Sequence, residues 1–104
     1  MTTDVRRSAP DRFEISLDGT PVGFTQFVEL DGRRVFFHTE VEPGHEGQGL
    51  AGTLVRQALE TTRAEGLRVV AVCPFVKKYV ETHPEWSDLV DPITRDILKA
   101  LPRH

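Results

Sequence analysis

The run Gly47-Gln48-Gly49-Leu50-Ala51-Gly52 lies between a strand-like segment, Val35 to Val41, and a helix-like segment from Leu50 to about Glu65. That setting suits an anion. Glycines let the backbone approach a ligand closely, and the helix that follows offers unpaired N–H groups and the positive end of its dipole to a phosphate. Upstream, His38 and Glu40 are two apart on a strand, so they share a face, opposite Phe37, Thr39 and Val41. Such a pair can act as a base tuned towards neutral pH, or it can be an outward polar face. Downstream, Cys73 ends an apolar run and precedes Pro74, which puts its thiol at a helix N-terminus, where the dipole favours thiolate. It is either a nucleophile, a lining for a thiol site, or a small core residue. Tyr79, the only tyrosine, offers a hydroxyl that a buried site would pair, and otherwise packs with Val76 and Val80.

The elements that must position these residues are legible in the pattern. Arg12 to Leu17, Pro21 to Leu30 and Arg33 to Val41 are rich in β-branched and aromatic residues, and Asp18-Gly19 and Asp31-Gly32 separate them. Asp-Gly supplies the positive φ angles of tight hairpins, so an antiparallel three-stranded meander is expected. Leu50, Leu54, Val55, Ala58 and Leu59 recur at helical spacing, with Gly66 placed as a C-terminal cap. Leu67 to Val72 reads as a buried strand, and Phe75 to Val80 as a short helix capped by Cys73. Asp91-Pro92 resembles a second helix start, with Ile93, Ile97, Leu98 and Leu101 on one face. The fold class that follows is α/β (α+β): the meander, a helical crossover to a further, parallel strand, then two short helices. The first several and last few residues are expected to be flexible.

Composition narrows the function. A length of 104 residues suits a single domain spanning 1–104, and no apolar run approaches a membrane-spanning length. The N-terminus lacks the apolar segment of a secretory signal, which points to the cytoplasm, and one cysteine with four scattered histidines gives neither a disulfide nor a metal-site spacing. A formal charge of −3 argues against bulk nucleic-acid binding. Gly47, Gly49 and Gly52 match G-x-G-x-x-G literally, yet Glu42 to Glu46 intervene after the strand, and Val72-Cys73-Pro74 stands where a ribose-binding acid belongs. A P-loop fares no better, because Leu50 and Ala51 occupy the Lys and Ser/Thr positions.

The run Glu46-Gly47-Gln48-Gly49-Leu50-Ala51 resembles the acyl-CoA pyrophosphate loop of the GNAT N-acetyltransferases, Q/R-x-x-G-x-G/A, departing from it at Glu46. Taken with His38-Thr39-Glu40-Val41, Cys73-Pro74-Phe75-Val76 and His83-Pro84-Glu85-Trp86, it is similar to the small, single-domain YjdJ-type GNAT-like proteins over about 12–90. The resemblance implies an acetyl-CoA-dependent N-acetyltransferase with an amine acceptor. It implies that Val41 presents backbone to the pantetheine arm, that Glu46, Gly47, Gln48, Gly49, Leu50, Ala51, Gly52 and Thr53 form the pyrophosphate turn, and that Cys73 lies near the thiol. Lys77 and Lys78 would meet the other phosphate or form a solvated face. Tyr79 would be the general acid toward the CoA thiolate, and His38 or Glu40 would take the amine proton. Ahead of Arg12 there is no room for the two helices that larger members place over the acceptor, so a bulky or macromolecular amine is admissible, and the protein is expected to be a monomer. The alternatives are a non-catalytic CoA-binding or interaction module, and acyl transfer through an acetyl-Cys73 intermediate.

Overall fold

The computed structural model describes residues 2–44 and 49–101. It opens with β1 (Thr3–Ala9), which the sequence does not announce, because only Val5 and Ala9 are even partly covered. Its backbone pairs antiparallel with β2 (Arg12–Leu17), so residues expected to be flexible are tied into the sheet, and the meander is one strand longer than expected. β3 (Thr20–Leu30) and β4 (Arg33–Val41) follow, joined by the Asp-Gly turns, with φ of 49° at Asp18 and 51° at Asp31. The crossover helix α1 (Leu50–Ala64) leads to β5 (Arg68–Ala71), parallel to β4. Then come α2 (Pro74–Thr82), a 3-10 turn at Pro84–Trp86, β6 (Val90–Asp91) parallel to β5, and α3 (Arg95–Ala100). The six strands lie side by side in sequence order in one sheet.

Helix α1 buries Leu50, Leu54, Val55, Ala58 and Leu59, the stripe read from the sequence, against Phe13, Ile15, Phe27 and Phe36 on one sheet face. Its end is closed by bonds from the Gly66 N–H to the Arg63 carbonyl (3.0 Å) and from the Leu67 N–H to the Thr62 carbonyl (3.1 Å). A smaller cluster covers the opposite face, where Ile97 of α3 meets Val35 and Val70.

Within the larger cluster stands a cation. The side chain of Arg34 is 1% exposed, 2.5 Å from Glu65 and 3.3 Å from Glu29, and its guanidinium lies over the rings of Phe27 (4.5 Å) and Phe13 (5.5 Å). Arg7 of β1 reaches the same two carboxylates and the same two rings from the exposed side. The network ties β1, the β3–β4 hairpin and the end of α1 together. Truncating a buried, paired cation also removes its packing, so Arg34→Ala should cost about 3 kcal/mol in urea unfolding.

Asp91 corrects an expectation. It is a strand residue, not a helix cap; α3 begins at Arg95, with the Thr94 hydroxyl accepting the Ile97 N–H at 3.2 Å. Of the expected face, Ile97 is buried and Leu101 half-buried, while Ile93 and Leu98 are exposed. The cause is long-range: Arg33 (2.8 Å) and Arg68 (2.6 Å) both donate to the Asp91 carboxylate. Those two hydrogen bonds, above all that from Arg33, hold its carboxyl below the usual carboxylate range. The stabilisation is therefore complete above the unfolded value of about 3.9 and fades as the pH falls through the lower folded value. Asp91→Asn should destabilise by about 1 kcal/mol at neutral pH, with the gap to wild type closing at about pH 2. Urea midpoints at both pH values check it.

Candidate active site

Parallel pairing of β4 with β5 runs from Arg33↔Arg68 to Phe36↔Ala71 and stops. At that point the Phe36 carbonyl accepts from both the Val72 N–H (3.0 Å) and the Cys73 N–H (2.9 Å), and Pro74 turns the chain into α2. β4 continues to Val41, so the two chains part at the carboxyl ends of parallel strands, where open α/β sheets collect ligands. The register against β3 also changes here. Gln26 faces His38 and Phe27 faces Phe36, leaving Phe37 as an extra residue, a β-bulge. Close approach is enforced at Gly23, where a Cβ would stand 2.9 Å from the Glu40 carbonyl oxygen and 3.2 Å from Ile15.

The bulge decides which side chains meet. Thr39 turns inward, its hydroxyl 2.9 Å from that of Thr25 and 3.1 Å from the Cys73 sulfur, which donates to it. Cys73 caps α2 as expected, but only 2% of it is exposed, which makes it a core thiol held by Thr39. His38 and Glu40 share the other face, also as expected, with Nε2 3.1 Å from Oε1. The Phe24 ring lies 5.8 Å from that of His38.

Beyond the parting strands, α1 starts at Gly49, whose φ of 74° is the left-handed conformation that glycine adopts without strain. Among the described residues no side chain caps the helix and no acid occupies its first turn, so they leave its N–H groups and dipole open to an anion. Ala51 and Gly52 keep the approach open and line a groove of about 210 Å³ with Phe75, Lys78 and Tyr79. Small residues over these donors leave room for an anion of phosphate size to approach the backbone. Glu46, Gly47 and Gln48, expected in the same turn, lie outside the described residues. Leu50 is buried in the core, and the Thr53 hydroxyl donates to the Gly49 carbonyl at 3.1 Å. Lys78 lines the groove; Lys77, expected there together with Lys78, lines neither it nor the cavity beside β4.

Tyr79 stacks on His83 with ring centroids 3.9 Å apart, one ring edge 3.9 Å from where a Cβ of residue 52 would sit. Its hydroxyl titrates above its ordinary value, chiefly through burial, with Glu85 and Glu60 adding to that and Arg56 and the Trp86 side chain opposing it. A phenol kept protonated at neutral pH is the form a general acid requires. Tyr79 thus joins Gly52 and Lys78, whereas His38 and Glu40 lie apart from it across β4, beside a second cavity of about 740 Å³ that includes Phe24, Glu40, Val41 and Phe75.

Phe75, which the sequence pattern places in the short helix without a role in the site, lines both cavities and is half exposed. The signal was present: it sits one residue before the Val76–Val80 stripe, about 100° off the buried face. The role of Thr39 has no local signal, because its partner Cys73 lies far along the chain.

Comparison with known proteins agrees with this fold. The family model described as GCN5-related N-acetyl-transferase matches residues 12–89. Mouse Protein NATD1 is 31% identical over 75 residues, covering 70% of this chain and 68% of the mouse protein, and the human protein is equally similar over 66% of its length. A GCN5-like protein from Staphylococcus aureus, solved in solution, superposes with a TM-score of 0.68 at 20% identity, covering 88% of this chain and 91% of that one. The ribosomal-protein-alanine N-acetyltransferase of Brucella melitensis gives 0.56 at 20% identity, over 83% and 66%. At these identities the superpositions speak for the fold.

The buried Cys73 thiol should react with a neutral maleimide at least about a hundredfold more slowly in the native protein than in urea, because access requires opening of the core. Intact mass against time measures it.

Proposed function

Because the chain belongs to the GCN5-related N-acetyltransferase family, we propose that it moves an acetyl group from acetyl-CoA to an amine acceptor. The observation that carries this reading is the parting of β4 from β5 next to the uncapped first turn of α1. Acetyl-CoA would supply an activated acyl carbon: the amine nitrogen bonds to it as the C–S bond breaks, the sulfur leaves with the electron pair, and the amine proton passes to a base. The chain's own residues divide the remaining work. Val41 offers backbone along the parted edge, and the N–H groups from Gly49 to Gly52 hold the diphosphate, together with the backbone of the preceding Glu46, Gly47 and Gln48, while Thr53, its N–H bonded to the Gly49 carbonyl, closes the first turn behind them. Lys78, with Lys77 further out, adds positive charge, and Tyr79 holds the proton that the thiolate takes up. His38, paired with Glu40, receives the proton of the amine. Cys73 shapes the thiol end of the site from within the core, where its burial and its bond to Thr39 oppose a nucleophilic role. Within the family we assign the chain to the small YjdJ-type form, on the segments around His38, Cys73 and His83.

Acetyl-CoA and CoA should raise the melting temperature, and NAD should not; stabilisation by NAD alone would reverse the reading. Ala51→Glu is the sharper test. An acid in the first turn suits the helix dipole, so the free protein should melt no lower than wild type, while acetyl-CoA binding weakens about tenfold or more. In turnover with a panel of amines, Tyr79→Phe should lower kcat about a hundredfold. Cys73→Ala should keep most activity, and intact mass should find no acetyl-Cys73. Binding without turnover of any amine would leave an acyl-CoA-binding module.

A further inference from the structure

The cavity of about 740 Å³ beside β4 has a size usual for a small-molecule site, and its walls carry a consistent sign. Register places Glu14 opposite Phe24 and Phe24 opposite Glu40, so two carboxylates flank one aromatic ring on a single face of β2, β3 and β4. Glu42 closes the end, with Pro43 and Phe75 as apolar wall. Among the described lining residues none is basic. Glu14 and Glu42 form no ion pair with any described residue, while Glu40 is shared with His38. Arg12 belongs to the next row of the sheet, opposite Gln26, and covers the Phe24 ring at 4.1 Å without lining the cavity.

We propose that this cavity is the acceptor site and that it selects a primary amine carrying a second positive charge, through Glu14 and Glu42 on either side of an apolar wall. The inference rests on the acyl-transfer reading, whose base candidates stand at the cavity's edge. It deepens that reading by naming a substrate class. A dicationic chain lets one ammonium approach His38–Glu40 while the other is held by Glu14 or Glu42, and the methylenes between them lie on Phe24 and Phe75. A monoamine lacks the second contact, and an amino acid brings a carboxylate towards three others. A free diamine and a lysine-rich peptide share this chemistry.

Matched acceptors test it: 1,4-diaminobutane, butylamine, 4-aminobutanoate and a capped dilysine peptide. With acetyl-CoA, the diamine or the peptide should exceed butylamine in kcat/KM by about tenfold, the size expected of two partly solvated charge contacts, and 4-aminobutanoate should rank last. The better of the two dications identifies the source. Glu14→Gln should narrow the ratio towards unity, and added salt should narrow it in the wild type. A second readout needs no cofactor. Titrated into the chain alone, the dications should shift the backbone amide signals of Glu14, Phe24 and Glu40, and butylamine should not. Equal turnover of monoamine and dications, or equal shifts from both, overturns the proposal. If acetyl-CoA fails to bind while the dication-specific shifts persist, the transferase reading falls and the cation site stands.

Discussion

One carbonyl oxygen sets the shape of the site. Phe36 accepts hydrogen bonds from two successive N–H groups, those of Val72 and Cys73, and these end the contact between the central parallel strands. Had Cys73 gone on to pair with β4, the sheet would have closed, and the end of β4 would be an interior strand instead of an accessible edge. Proline enforces the departure, since Pro74 has no N–H to give a ladder and a φ suited to the first turn of a helix. The thiol bond of Cys73 to Thr39 then fixes the distance across the opening at its base. The anion-facing end of α1 and the groove beside Tyr79 lie where they do because the strands separate at this residue.

A site at the open end of a sheet needs firmness at the closed end, and the Arg34 network supplies it. Its guanidinium lies over two neighbouring phenylalanine rings and is held by carboxylates from β3 and from just beyond α1, so the far end of the crossover helix is fixed by directional bonds as well as by apolar contact. Apolar packing alone tolerates sliding of a helix over a sheet, whereas a buried ion pair has only a narrow range of satisfactory geometries. Holding the end of α1 in register also holds its beginning.

What the sequence disclosed and what it withheld divide along physical lines. The Asp-Gly turns, the stripe from Leu50 to Leu59 and the run ending at Cys73-Pro74 are local patterns, and the strands and helices they imply are present. β1 was hidden because a solvent-exposed edge strand needs backbone partners and almost no apolar residues. Asp91 was misread because aspartate before proline has a strong local meaning, which two arginines distant in sequence override. Of the candidate site, the start of α1 at Gly49-Leu50 and the His38–Glu40 pairing were legible, since both depend on local spacing. That Cys73 would be sealed from solvent, that Lys78 and not Lys77 would face the groove, and that Phe75 would stand between two cavities all depend on how α2 docks, which no window of sequence contains.

The extra residue at Phe37 can also be regarded as a change of phase. In an unbroken strand, strict alternation would put His38 and Glu40 on the same side as Phe36, facing the larger cluster, and Thr39 on the opposite side with Val35. One inserted residue inverts the parity of everything after it, so the first half of β4 keeps its apolar residues in the two clusters while the second half delivers an acid and an imidazole to water and a hydroxyl to Cys73. The polar pair and the buried hydroxyl are therefore not independent features. A single deletion in this strand would exchange them, which makes the spacing between Phe36 and Thr39 more constrained than the identity of the residue that fills it.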